Sequence, residues 1–146
     1  MAGDLIREVR RAVLRQLKAD PGVSALVDPA DVHPSTIADE PTWPFIRWDA
    51  PQSIPIDLTC VAGATVTFLL HGFAKPRMSG EAIVETAEDH ASRIGSAMKL
   101  AVHQKRVPIG DTTARLRVQT ARLLQDGAEE TAYHAVLSVE ARVLAA

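Results

Sequence analysis

Apolar residues recur at every fourth position in the first segment of the chain. From Asp4 to Lys18 they form a single stripe at Leu5, Val9, Val13 and Leu17. Because residues four apart lie on one helical face, this spacing predicts an amphipathic α-helix. Asp4 is suited to cap the helix, and Asp20-Pro21-Gly22 is suited to end it. A second short turn is expected from Pro21 to Val27.

Proline interrupts the apolar pattern in the next segment. The prolines between Asp28 and Pro44 are Pro29, Pro34, Pro41 and Pro44. We therefore predict an irregular connector over residues 28–44, with only a two-residue strand at Val32-His33. Phe45–Asp49 alternates in polarity and predicts a short strand.

Residues 51–63 combine proline with apolar side chains. Pro51 and Pro55 lack a backbone donor, so we predict a second irregular loop here and not a central strand. Ile54, Ile56 and Leu58 are then apolar residues outside regular structure. They need to be covered, either by the same subunit or by a partner.

The clearest strand of the sequence is Thr65–Ala74, which is rich in β-branched and aromatic residues. Its alternation places Val66, Phe68 and Leu70 on one face. Ser79 is predicted to cap a long helix whose apolar face runs from Ile83 to Ala101. The many alanines of this helix predict close packing on a sheet.

Two further strands are predicted at the end of the chain. Pro108–Asp111 is typical of a turn, and Arg115–Leu124 and Thr131–Val143 follow it as strands. Asp126-Gly127 lies between the two strands and indicates a hairpin. The last strand presents one regular face to the core: Tyr133, Ala135, Leu137, Val139, Ala141 and Val143.

The predicted order of elements is helix, strand, strand, helix, strand, strand. This order predicts an α+β fold, in which two helices pack on one face of an antiparallel-rich sheet of about four strands. The chain has 146 residues, which suits a single domain over residues 1–146.

The charge and cysteine content exclude several classes of function. The formal net charge of −2 gives no overall attraction to nucleic acid or to an anionic membrane. Cys60 is the only cysteine, so no disulfide forms within one chain. The longest apolar run, Val66 to Leu70, is too short to cross a bilayer. We expect a soluble protein that is made in the cytoplasm and has no membrane partner.

The sequence carries no recognisable catalytic motif. It lacks G-x-S-x-G, H-E-x-x-H, Walker-type and G-x-G-x-x-G patterns. The five histidines are spread over separate elements without ligand spacing, and we expect ordinary surface or edge histidines at His33, His71, His90, His103 and His134. The acidic residues Glu85, Glu88 and Asp89 are expected to be solvated helix charges, and no basic residue activates Cys60. We predict no catalytic residue, no metal and no cofactor.

Several charged and aromatic residues have both a plain and a functional interpretation. Arg77, Ser79 and Gly80 would cradle an anion if they lie at a helix N-terminus, although Ser79 also caps without a ligand. The first helix carries a basic stripe, which either is solvated or contacts phosphates or an acidic protein: Arg7, Arg11, Arg15 and Lys18. Trp43 and Trp48 either pack in the core or anchor an interface.

We take ten residues as candidate contacts to another subunit or to a tube. Arg115, Arg117 and Arg122 project from one predicted strand, on a sheet face that helices do not cover. The full set is Trp43, Trp48, Ile54, Ile56, Leu58, Arg77, Met78, Arg115, Arg117 and Arg122.

The layout of the whole chain resembles the tail terminator, or tail completion, proteins of long-tailed bacteriophages and gene transfer agents. Five segments carry the likeness: Leu17 to Val27, Val32-His33-Pro34, Pro44 to Trp48, Val66 to Phe73 with the helix after it, and Tyr133 to Val143. They cover nearly the full length, but they are patterns and not chemical signatures.

The resemblance implies a structural virion subunit without enzymatic activity. In that family the subunits form a ring, typically a hexamer, at the head-proximal end of the tail tube. The ring stops tube polymerisation and joins the tube protein to the head–tail connector or stopper, with the tape measure protein as a further neighbour. DNA passes through the lumen without sequence-specific binding. The Ser53–Leu58 loop and the Pro34–Trp43 connector are the expected contact segments.

Three alternatives remain open from the residues alone. The first is another neck or head completion component of the same particle. The second is a small α+β enzyme or ligand-binding domain, which would need a pocket with converging polar groups. The third is a nucleic-acid-binding protein that uses the basic first helix, which would show salt-dependent binding.

Overall fold

The computed structural model describes residues 4–37, 39–127 and 131–145. The helices are α1 (Leu5–Ala19), α2 (Pro21–Ser24) and α3 (Ala87–Val102), with a 3-10 turn at Pro29–Asp31. The strands are β1 (Val32–His33), β2 (Phe45–Leu58), β3 (Val61–Ala74), β4 (Arg77–Ser79), β5 (Ala82–Glu85), β6 (Arg106–Ile109), β7 (Thr112–Gln125) and β8 (Tyr133–Ala145). Among these residues no helix is long and apolar enough to span a membrane.

The sheet is larger than the sequence predicts. Six strands form one curled sheet in the order β1-β2-β3-β8-β7-β6, and β4 pairs with β5 as a separate hairpin. The expected fold of two helices on about four strands is therefore wrong. The prediction missed β6, missed the β4–β5 hairpin, and assigned the second half of β2 to a loop.

Helix α1 begins and packs as its pattern predicts. The Asp4 side chain accepts a hydrogen bond from the Arg7 amide at 3.1 Å and so caps the helix. Val9, Val13 and Leu17 have no exposed surface. The Gln16 side chain donates to the Ala101 carbonyl at 3.1 Å, which ties α1 to α3.

Helix α3 begins later than predicted. Thr86, and not Ser79, is the cap, because the Thr86 hydroxyl accepts from the Asp89 amide at 3.1 Å. Residues before Thr86 form the β4–β5 hairpin, whose turn uses Gly80 at a φ of 61°. Only glycine adopts this left-handed conformation without strain. Arg77, Ser79 and Gly80 therefore do not lie at a helix N-terminus, so the predicted capping by Ser79 is wrong and the condition for an anion cradle at these residues is not met.

Helix α3 lies directly on the sheet. A Cβ added to Gly72 of β3 would lie 2.6 Å from Cγ2 of Ile94, and one added to Gly95 would lie 2.7 Å from Cβ of Ala135. The close packing predicted from the alanine content of α3 is confirmed by this approach. The core face predicted for the last strand is also confirmed, since Leu137, Val139, Ala141 and Val143 are buried.

Residues 51–63 form a β-hairpin and not the expected irregular loop. β2 pairs with β3 in register as far as Leu58 and Val61, with a bulge between Asp49 and Gln52. β1 pairs with β2 only at Ile46 and Arg47, so the rest of β2 has no other strand beside it in the described chain. An edge strand tolerates proline where the nitrogen faces away from the ladder. The hairpin turn carries Cys60, whose side chain is exposed.

Candidate interaction surface

The helices cover one face of the sheet and leave the other open. We call the uncovered side the open face. Strand pairing places residues of adjacent strands in rows across it, because directly opposed residues share a face. One row contains Phe45, Phe73, His134 and Leu124; the next contains Arg47, His71, Val136 and Arg122; a row further along contains Ile54, Thr65, Arg142, Arg115 and Arg106.

One end of the open face carries a cluster of aromatic rings and histidines. Phe45 and Phe73 stack at 4.7 Å between ring centroids, and His134 stacks on Phe73 at 4.9 Å. Trp43 meets the edge of Phe45 at 4.9 Å, and Lys75 lies 4.6 Å above the Trp43 ring. The end of the connector is thereby packed onto the sheet, and this end of the open face is largely covered.

His71 is a buried polar residue of this cluster. Its Nε2 lies 3.1 Å from Oδ2 of Asp49, and its ring centroid lies 5.4 Å from that of His134. Burial lowers the pKa of His71, and the hydrogen bond that His71 donates to Asp49 opposes this only in part. Burial also lowers the pKa of His134. The two rings therefore favour their neutral forms in the folded protein.

The histidines do not converge on a metal. Among the residues that the structure describes, no three histidine, cysteine or acidic side chains lie close enough to hold an ion. The surface or edge placement expected for every histidine is wrong for His71 and His90, which are buried. His90 donates from Nδ1 to the Lys75 carbonyl at 2.9 Å, which is a structural contact.

The expected solvated cluster around Glu85 is also different in the structure. Glu85 lies in β5 and not in the helix. It accepts from Nε of Arg93 at 2.7 Å and lies 3.4 Å from Nη1 of Arg77. The hydrogen bond from Arg93 is the main reason that the pKa of Glu85 is lowered. This carboxylate is held as a structural ion pair.

A cavity of about 270 Å³ lies between α3 and β7. Its polar lining consists of Ser92, Ser96, Lys99 and Arg122, beside small apolar residues of β7 and β8. A general acid–base or nucleophilic site needs titratable groups within hydrogen-bond reach of one another. The described residues that line this cavity include no carboxylate, imidazole or thiol.

The two tryptophans have different surroundings. Trp48 points toward the helices, has no exposed surface and stacks on Phe68 at 4.1 Å. Trp43 is half-buried in the cluster on the open face. Trp48 is thus enclosed within its own subunit, and only Trp43 retains surface for a contact.

The opposite end of the open face is basic. Arg106, Arg115 and Arg142 lie directly opposite one another on β6, β7 and β8, and Arg117 lies two residues beyond Arg115. All four side chains are exposed. We call these four residues the arginine row. Arg115 and Arg117 therefore lie together as the sequence predicts, whereas Arg122 lies several residues away, opposite Val136.

The β2–β3 hairpin exposes apolar residues beside the arginine row. Ile54 is 49% exposed and Leu58 is 58% exposed, while Ile56 is half-buried. Their partners on β3 are Thr65, Val61 and Gly63, so all three lie on the open face.

A second exposed apolar patch lies on the β4–β5 hairpin. Met78, Ile83 and Val84 are each at least half exposed. The sequence indicated Arg77 and Met78 but missed Val84, and it missed Ile83, which the helical interpretation placed on the apolar face. Arg106 and Arg142 were also missed. The alternation of the last strand already placed Arg142 on the face that carries Arg115, and this signal was sufficient to add it.

Comparison with known proteins identifies the family of this chain. Residues 11–144 match the family model described as "Tail completion protein gp17". The chain belongs to this family. As a member of it, the chain is a structural protein of phage tail assembly and is located in a virion or phage-like particle. The resemblance found in the sequence is therefore confirmed.

This tail completion family member has the same fold as a protein chain in a solved virion structure. A chain of the structure described as "Virion of native gene transfer agent (GTA) particle" superposes with a TM-score of 0.73 at 18% identity, covering 94% of this chain and 95% of that chain. At this identity the likeness establishes a common fold. No curated protein matches the chain.

Proposed function

We propose that this tail completion protein forms a closed ring, a hexamer, on the head-proximal end of the tail tube. The ring stops tube polymerisation and joins the tube to the head–tail connector or stopper. The tape measure protein is a further neighbour on the tube side. DNA passes through the lumen without sequence-specific binding, and the protein acts without catalysis.

The observation that carries the proposal is the exposed apolar hairpin in a member of this family. Ile54 and Leu58 expose about half of their side chains on a strand edge that pairs with no other described strand. An isolated subunit would leave this surface in water, and apolar patches of this kind mark contact sites. The edge itself offers backbone donors and acceptors to a neighbouring chain.

The sheet has a second such edge on its other side. β6 pairs with β7 only from Thr112 to Arg115, and the backbone of Leu116 bonds to Gln104 and Lys105. From Thr120 to Gln125, β7 pairs only with β8 among the described strands. Two different edges on one subunit favour a head-to-tail contact, which forms a ring when the rotation closes.

The test is assembly in the presence of tube protein. We expect mass photometry and negative-stain microscopy to show a ring of the purified chain, alone or on the tube end. We also expect addition of the chain to polymerising tube protein to shorten the tubes in proportion to its amount. A chain that stays monomeric with and without tube protein contradicts the proposal. A ring that binds the connector but leaves tube length unchanged favours the alternative role as another neck component.

A further inference from the structure

The arginine row forms no ion pair with an acidic residue of the described chain, although Glu140 lies directly opposite Arg117 on β8, where it accepts from Nε2 of Gln119 at 3.1 Å. Within the described chain, no carboxylate lies within ion-pairing distance of Arg106, Arg115, Arg117 or Arg142. The one hydrogen bond from these side chains to another described residue joins Nη2 of Arg115 to Oε1 of Gln104 at 3.0 Å. Like charges directly opposite one another on neighbouring strands destabilise a sheet. A bound anionic group would relieve this repulsion.

The surroundings of the row favour a protein as the partner. Leu144, two residues beyond Arg142 on the same face, is 39% exposed. Arginine next to exposed apolar side chains is typical of protein interfaces. Proteins that bind duplex DNA usually contact more than four phosphates. Proteins that bind single strands usually stack the bases on aromatic side chains. No aromatic ring lies in the rows that contain these four arginines.

The same chain carries a surface of complementary character. The β4–β5 hairpin exposes Met78, Ile83 and Val84. Three exposed acidic side chains lie close to these residues in the sequence, Glu81 in the hairpin turn and Glu88 and Asp89 in the first turn of α3. None of the three forms an ion pair with another described residue. The nearby Arg77 and Arg93 are already bound to Glu85.

The two surfaces are too far apart to meet within one subunit. Arg142 lies opposite Thr65, whereas the β4–β5 hairpin begins three residues beyond Ala74, the last residue of β3. Nine residues of extended strand span roughly 30 Å. A contact between the surfaces therefore has to join two copies of the chain.

We propose that the arginine row is the docking site for the β4–β5 hairpin of a second copy. Glu81, Glu88 and Asp89 of one copy neutralise the arginines of the next, and the exposed apolar residues of both surfaces pack beside these charges. This inference rests on the proposed function, because it names a contact through which the copies of the ring join.

Two charge-reversal variants test the contact. Arg115→Glu/Arg142→Glu reverses the arginine row, and Glu81→Arg/Glu88→Arg reverses the hairpin. We expect each variant alone to assemble at least about tenfold more weakly than wild type, measured by mass photometry over a dilution series. Arg11→Glu/Arg15→Glu on the exposed face of α1 is the matched control and should assemble like wild type. Thermal melting of every variant identifies any that fails to fold.

Mixing the two variants gives the sharper result. Within each variant the arginine row and the β4–β5 hairpin carry charge of the same sign, so copies of one variant repel each other. When the two variants alternate in an assembly, each row meets a hairpin of opposite charge. Equal amounts mixed together should therefore recover assembly, which misfolding of either variant cannot produce. If the mixture stays dissociated while both variants melt like wild type, the contact is overturned. The contact is also overturned if either variant alone assembles like wild type.

The outcomes separate this contact from the ring. If the wild type forms rings and both variants still form them, the contact is overturned and the proposed function is left intact. A wild-type dimer that shows the rescue supports the contact and contradicts a ring. A wild-type chain that remains monomeric even with tube protein overturns both. Duplex DNA binding that is lost in Arg115→Glu/Arg142→Glu, with assembly unchanged, assigns the arginine row to nucleic acid instead.

Discussion

The Nε2 atom of His71 lies 3.1 Å from the Oδ2 atom of Asp49, yet the pKa of His71 is lowered and not raised. An adjacent carboxylate ordinarily favours the imidazolium form. Here burial among aromatic rings outweighs Asp49, and Arg47 and His134 act in the same direction as burial. The surroundings of His71 therefore favour its neutral form, which donates a hydrogen bond from Nε2 to Oδ2 of Asp49.

The lowered pKa of His71 predicts that acid destabilises the fold. The unfolded chain takes up this proton near the ordinary histidine pKa of about 6.5, whereas the folded chain takes it up only at lower pH. The stabilising contribution is thus complete above about pH 6.5 and is lost as the pH falls through the folded pKa. His134 acts with the same sign, because its pKa is lowered as well.

Urea unfolding at a series of pH values between about 5 and 8 measures this effect, above the range in which most carboxylates titrate. We expect the free energy of unfolding to decrease on acidification in wild type. The decrease should be smaller in His71→Gln. An equal decrease in the variant would show that other groups cause the pH dependence.

Gly72 is predicted to tolerate no side chain. Its added Cβ would approach Ile94 to 2.6 Å and Cε of Met98 to 3.0 Å, so α3 would have to move off the sheet. We expect Gly72→Ala to lower the free energy of unfolding by about 1–3 kcal/mol, the range typical of overpacked cores. Gly127→Ala is the matched control, because no described residue lies within 4 Å of its added Cβ. Its change should stay within about 0.5 kcal/mol.

The position of the α3 cap predicts a contrast between two hydroxyl residues. Thr86→Ala removes the acceptor of the Asp89 amide hydrogen bond and should cost about 1 kcal/mol of stability. Ser79→Ala changes an exposed residue of β4 and should be nearly neutral. Chemical denaturation of the two variants measures both values. A larger loss of stability in Ser79→Ala than in Thr86→Ala would instead support the longer helix, capped by Ser79, that the sequence predicted.

The apolar hairpin predicts an assembly defect without a folding defect. Leu58→Gln should raise the concentration needed for ring formation by about tenfold or more, which corresponds to about 1.4 kcal/mol. Leu100→Gln is the matched control, because Leu100 is 77% exposed on α3 and belongs to neither proposed contact surface. Both variants should melt close to wild type. Assembly that is equally weakened in both would mean that general surface polarity, and not the hairpin, is responsible.

The parts of the fold that depend on local chemistry could be predicted from the sequence. Helix α1 follows from a four-residue period and the Asp4 cap, both of which act within one turn. β1 at Val32–His33 and the buried face of β8 follow from short alternations and are confirmed. The placement of Arg115 and Arg117 opposite Leu116 follows from the same rule.

The parts that failed depend on position within the sheet. Pro51 and Pro55 would break a central strand but are tolerated in an edge strand. This part of β2 is an edge because β1 pairs with β2 only at Ile46 and Arg47. Ser79 and Thr86 are both able to cap a helix. The choice of Thr86 follows from the β4–β5 hairpin, whose turn the sequence marks only with Gly80. β6 has only four residues and includes Pro108. Its alternation of apolar and polar residues is too short to predict a strand.

The bulge in β2 has a consequence for how such a surface can evolve. Ala50 and Pro51 together oppose one residue of β3, and this extra residue sets the face on which the rest of the hairpin lies. If the full sequence of β2 paired with β3 without a bulge, Ser53, Pro55 and Asp57 would lie on the open face in place of Ile54, Ile56 and Leu58. Deletion of either Ala50 or Pro51 would restore simple pairing and keep Ile54, Ile56 and Leu58 opposite the same residues of β3. The apolar surface would thus survive loss of one bulge residue, whereas a one-residue insertion or deletion between Gln52 and Leu58 would turn part of it to the other face of the sheet.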